Sequence, residues 1–138
     1  MLEGRYAPQA LSLLRIVAAL IFLLHGSSKI LGFPATEMGA PPVGSLFWIG
    51  GLLLLVGLFS RPVAFILSGE MAVAYWMVHA PQSTFPMING GDAAILYCFV
   101  FLLIAAASPG PWSIDASLRR RRTEPVRDID SEDRTTLP

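Results

Sequence analysis

"PVAFILSGEMAVAYWMVHAP", residues 62–81, is a twenty-residue run with one acidic side chain, Glu70, near its middle. A helix of that length rises about 30 Å, the thickness of the hydrocarbon core of a bilayer. A carboxylate within such a run is expensive, about 2.5–3.5 kcal/mol on insertion scales, and turns toward other helices rather than lipid. The stretch therefore predicts a membrane helix in a bundle whose interior, not its exterior, is polar.

The rest of the chain agrees with this reading. Apolar types make up 54% of its 138 residues and charged types 14%, whereas soluble domains spend about 25% on charge. Residues 115–138 hold twelve of the twenty charges, leaving eight for residues 1–114. The predicted fold class is all-α: an integral membrane four-helix bundle followed by a disordered, charged C-terminal tail. Its parts are an N-terminal segment, 1–9, a membrane domain, 10–114, and the tail, 115–138. Spans are predicted at 10–31, 43–59, 62–80 and 91–107. The breaks between them carry proline and glycine: "GFPATEMGAPP", "SRP", "APQSTFPMINGG" and "SPGPW". "SRP" makes the second and third spans an antiparallel hairpin. The apolar run after Arg5 and Arg15 is too long, and too well followed by further spans, for a cleaved signal peptide.

Orientation follows Lys and Arg. Arg5, Arg15, Arg61 and Arg119–Arg122 gather on one side and Lys29 alone on the other. Both termini are thus expected in the cytoplasm, with 32–42 and 81–90 facing outward. "RRRR" reads as a topology anchor that also meets anionic headgroups. Acidic residues follow it at once, which argues against nucleic acid as a partner.

The polar groups in the spans form a pattern. Arg15, Ala18, Phe22, His25 and Lys29 recur at spacings of three and four, a single stripe facing the other helices. Arg15, about 7 Å into its span, and Glu70, about 12 Å into its own, are expected to pair. Lys29, His79, Asn89 and Asp92 fall at the opposite end and, with His25 below them, are expected to form the mouth of a ligand site. Against this, each has an ordinary role: Asn89 or Asp92 as helix cap, Lys29 snorkelling, His79 meeting water. Ala64, Ser68 and Ala72 form a small-residue face suited to close helix packing. His25 and His79 differ in depth by several ångströms, which disfavours a haem between them, and one cysteine, Cys98, supports neither a disulfide nor a metal site.

"LRIVAALIFLLHGSSKILGF" (14–33), "GGLLLLVGLFSRPVAFILSGEMAVAYWMVHAP" (50–81) and "NGGDAAILYCFVFLLIAAASPGPWSID" (89–115) together resemble the DoxX family of small bacterial four-helix membrane proteins. The resemblance covers about residues 10–116, and Arg15, His25, Lys29, Glu70, His79, Asn89 and Asp92 occupy family-like positions. It implies a multi-pass protein of the bacterial inner membrane, and a membrane subunit of a quinone- or thiol-linked redox complex. The chain has no redox motif of its own, so no catalytic residue and no intrinsic cofactor are assigned. A quinone is the candidate lipophilic ligand, with Arg15, His25, Lys29, Glu70, His79, Asn89 and Asp92 as candidate ligand or proton-relay residues. Besides the bilayer, the candidate partners are a soluble redox protein or a second copy of the chain. The alternatives are a small transporter or channel, and a membrane anchor recruiting a soluble partner.

Overall fold

A computed structural model describes residues 4–31 and 44–123, the side chains of 29, 30 and 44–46 excepted. Its elements are α1 (Ala7–Ile30), α2 (Gly44–Val56), α3 (Ser60–Ala74), α4 (Pro86–Asn89), α5 (Asp92–Ala106) and α6 (Ile114–Thr123). A π-helical turn, Tyr75–His79, continues α3 without a break. Among the described residues there is no strand. The fold is therefore all-helical. One stretch, Ala7–Ser28, is long and apolar enough by length and composition to cross a membrane, while the apolar helices Phe47–Val56 and Asp92–Ala106 are shorter.

The helices pack as two tight pairs, α1 with α2 and α3 with α5, which meet through α2–α3 and α1–α5 contacts. Aromatic rings fill the centre. Phe22 stacks on Phe47 at 4.6 Å between centroids and meets Phe101 edge-on at 5.0 Å. Leu54, Leu67, Met71 and Ile104 complete the core around them. The small-residue face of α3 serves packing as expected. Ala64 has no exposed surface, and the Ser68 hydroxyl donates to the Cys98 carbonyl of α5 at 2.8 Å.

Outside the core the surface is apolar. Leu20, Ile21 and Leu24 of α1, Phe65, Ile66 and Val73 of α3, and Leu96 and Phe99 of α5 are all exposed. Leu23 of α1, by contrast, packs against Gly51 of α2.

The α2–α3 turn differs from the expected break. "SRP" is the first turn of α3, and the chain reverses one step earlier, at Gly57–Phe59. Gly57 sits at φ 74° and Phe59 at φ 49°. The Leu58 and Gly57 amides reach back to the Leu53 and Leu54 carbonyls at 3.0 and 3.2 Å, the paired bonds of a Schellman ending. Proline is tolerated in "SRP" because the first turn of a helix has no partner for the missing N–H.

The tail also differs. Residues 115–123, expected to be disordered, lie within α6, and 124–138 lie outside the described residues. Ser113 starts the helix, its hydroxyl accepting the Ala116 amide at 3.1 Å. Asp115 then anchors it to the bundle. Its carboxylate oxygens accept the Phe59 amide at 3.0 Å and the Ser60 amide at 2.8 Å, and its own amide donates to the Gly57 carbonyl at 3.0 Å. A segment poor in apolar residues is held by capping bonds rather than by burial.

Gly57→Ala tests this turn. A Cβ there would lie 2.4 Å from Cβ of Ser113, and the left-handed backbone adds strain. The substitution should cost about 2–4 kcal/mol from strain and overpacking together, read as a lowered midpoint for thermal loss of helical circular dichroism.

Candidate functional site

The polar side chains divide between the two ends and the middle of the bundle. At one end Arg15 is fully buried. Its Nη1 donates to the Leu54 carbonyl and, at 2.8 Å, to that of Leu55. Its Nε donates to Pro109 at 2.9 Å and its Nη2 to the Trp112 carbonyl. Leu54 and Leu55 lie in the last turn of α2, where carbonyls lose their regular helical partners, that of Leu54 keeping only the Gly57 amide of the turn. Pro109 and Trp112 belong to the α5–α6 connection. Ser12, one turn earlier on α1, binds the same connection by accepting the Trp112 amide at 3.2 Å. Arg61 makes a related bond, its Nε donating to the Ala105 carbonyl at 2.8 Å near the end of α5.

The expected Arg15–Glu70 pair does not form. The donors of Arg15 turn toward main-chain carbonyls at the helix ends, whereas Glu70 lies ten residues past Ser60, about 15 Å along α3. Glu70 is half-buried as a residue, but both carboxylate oxygens are shielded from solvent. It follows by one helical turn Leu67, which packs onto Gly50 of α2, so its carboxylate shares the face turned toward α2.

Toward the other end the structure joins some predicted residues and separates others. His79 and Asn89 come together: the His79 ring, at Nδ1, meets the Asn89 carbonyl at 2.9 Å. The Asn89 side chain is buried, donating to the Ser83 carbonyl and accepting the Gly91 amide, both at 2.8 Å. It ties the α3–α5 loop together rather than capping α5, whose first residue, Asp92, is exposed and favourably placed at the positive end of the helix dipole. His25 stands apart. It is exposed, its Nδ1 lies 2.9 Å from the Ile21 carbonyl, and its ring meets Tyr97 of α5 edge-on at 6.1 Å. The stripe Arg15–Ala18–Phe22 faces inward as expected, whereas His25 reaches the rim. The Lys29 side chain lies outside the described residues. No cluster of His, Cys, Asp or Glu suited to a metal ion occurs among the described residues.

Three residues of structural weight escaped the sequence reading: Ser12, Ser113 and Asp115. Ser12 was legible as Arg15 minus three, on the same face of α1. Ser113 and Asp115 carried the signal of a helix start, a serine followed by an acid in the first turn.

Buried polar side chains inside an apolar-faced helical bundle define the class of a small helical protein with an inverted polarity, and the comparisons identify the family. The DoxX family matches residues 10–80. The chain belongs to the DoxX family. It is 40% identical over 123 residues to an uncharacterized protein of Haemophilus influenzae, covering 80% of this chain and 92% of that protein. It is 28% identical over 130 residues to the inner membrane protein YphA of Escherichia coli, covering 81% and 92%. No solved structure matches it.

A double-mutant cycle checks the separation of the two interior charges. Arg15→Gln should cost about 3 kcal/mol or more, because it leaves carbonyls without donors. Its coupling with Glu70→Gln should stay below about 0.5 kcal/mol, as for independent sites; coupling above 1.5 kcal/mol in a detergent unfolding titration would mean the two are paired.

Proposed function

We propose that this chain is a four-span protein of the bacterial inner membrane, both termini cytoplasmic, which acts as the membrane subunit of a redox-linked complex and holds a lipophilic ligand in its interior. The observation that carries the reading is the inverted polarity: Arg15 and the Glu70 oxygens are hidden while Phe65, Ile66, Leu96 and Phe99 are exposed. In water that surface would associate; in lipid it is the expected one. The description of the relative YphA as an inner membrane protein points the same way. The spans are α1, α2, α3 with its π-helical turn, and α5. α2 and α5, about 20 and 22 Å long, are short, and local thinning of the bilayer accommodates such helices at small cost.

Glu70 is the proposed contact for the polar head of the ligand. A carboxylate shielded from water can exchange a proton with a quinone carbonyl as electrons arrive from a partner, since the chain supplies no redox centre. His79 and Asn89, joined at the outer end, would line the approach. A second reading, an anchor for a soluble protein, is favoured by the close aromatic packing of Phe22, Phe47 and Phe101.

Two measurements separate these readings. Reporter fusions at Thr36 and Thr123 should place the first outside and the second in the cytoplasm; a cytoplasmic signal from Thr36 rejects the topology. Protein purified in mild detergent should carry a co-extracted lipophilic molecule that Glu70→Gln and His79→Ala release by at least about tenfold. Retention of that molecule by both variants would leave the anchor.

A further inference from the structure

Where α6 crosses the end of the bundle it opens a cleft of about 560 Å³ against the foot of α3. Its apolar lining is Phe59, Pro62 and Leu118, and its rim carries Arg61, Arg119, Arg121 and Arg122. The acidic residue on the lining, Asp115, is already engaged: one carboxylate oxygen accepts the Phe59 amide and the other the Ser60 amide. Its charge is thus directed to the start of α3 and away from the rim. Arg61 commits Nε to the Ala105 carbonyl, which fixes the side chain and leaves its terminal nitrogens for another acceptor.

This is more than a run of like charges. Leu118, Arg121 and Arg122 turn to this cleft, while Ala116, Arg120 and Thr123 turn to a separate cleft beside the start of α1 and Arg119 borders both. Phe59 is 64% exposed and Leu118 51% exposed, so the basic rim borders an apolar surface continuous with exposed Phe65 and Ile66 on α3. A guanidinium fork matches phosphate oxygens, and apolar carbons next to it match the start of an acyl chain.

We infer that this cleft binds an anionic phospholipid, with the phosphate on Arg61, Arg121 and Arg122 and the adjoining acyl carbons on Phe59, Pro62 and Leu118. The inference rests on the membrane placement proposed above. Basic segments beside membrane helices attract acidic lipid through a diffuse field; a built site adds selectivity among the arginines and a requirement for the apolar floor. α6 is then held at the headgroup level from both sides, by Asp115 toward the protein and by lipid phosphate toward the bilayer.

The test uses the full chain in dodecylmaltoside micelles doped with phosphatidylglycerol or phosphatidylcholine, with bound lipid counted by native mass spectrometry. Wild type should retain one phosphatidylglycerol in preference to phosphatidylcholine. The pair Arg121→Gln and Arg122→Gln should weaken retention by about tenfold or more, and Arg120→Gln by less than about twofold. Phe59→Gly removes the floor while suiting the left-handed backbone, and should weaken retention with helicity and melting unchanged. Equal losses from Arg120→Gln and Arg121→Gln, or equal retention of both lipids, would overturn the site in favour of diffuse charge. Displacement by millimolar inorganic phosphate would also overturn it, showing an anion site without lipid. Alkaline carbonate extraction keeps the two proposals apart. Release of the chain from membranes defeats the membrane placement, whereas a chain that stays in the membrane without lipid preference defeats only this inference.

Discussion

A guanidinium without exposed surface must place its N–H donors on acceptors, and Arg15 places them on four main-chain carbonyls. Two belong to the end of α2 and two to the α5–α6 connection, segments some fifty residues apart in the chain. The exchange satisfies both sides. A buried charge is prohibitive unless fully hydrogen-bonded, and helix ends leave carbonyls that an apolar surrounding cannot solvate. Each bond to a charged donor contributes about 1.5–3 kcal/mol net, so the gain is local and large. Because Arg15 fixes where α2 stops, it fixes the Gly57 turn; because it fixes Pro109 and Trp112, it sets where α6 begins. Asp115 closes the loop by capping α3 from that same α6.

That arrangement explains what the sequence could and could not say. The four long apolar runs were legible as helices because nothing but helix satisfies their backbone in an apolar setting. The need of Arg15 for a hidden acceptor was legible too. The identity of the acceptor was not, because residue-type reasoning looks for a carboxylate, and unpaired carbonyls at helix ends have no signature of their own. The charged tail was averaged over twenty-four residues, and the average concealed a short helix whose start is coded by Ser113 and Asp115. His25 was assigned to the Arg15 stripe by its spacing. Ten residues at 100° per residue bring it to about 80° from the direction of Arg15, which is the rim rather than the interior.

The candidate site was less legible than the fold for a related reason. His79 and Asn89 meet through the main-chain carbonyl of Asn89, and the Asn89 side chain is spent on Ser83 and Gly91. A count of uncommon polar residues near one end anticipates their proximity but not that loop closure uses much of their hydrogen-bonding capacity. What remains open to chemistry is therefore smaller than the list of polar residues suggests. Asp92 faces outward, and His25 belongs with Tyr97.

The two interior charges differ in kind as well as in place. An arginine keeps its proton under all ordinary conditions, so its charge is suited to a permanent fixture and unsuited to relaying protons. A carboxyl side chain such as that of Glu70 is, by contrast, a residue type that can take up and give back a proton. Had they paired, each proton taken up at Glu70 would have left Arg15 without its counter-charge and loosened the helix ends that it holds. Satisfying Arg15 with carbonyls, which do not titrate, keeps its bonds at the helix ends independent of any proton at Glu70. Arg15 is thus a fixed structural cation whose bonds at the helix ends do not involve Glu70, which lies about 15 Å along α3 from Ser60.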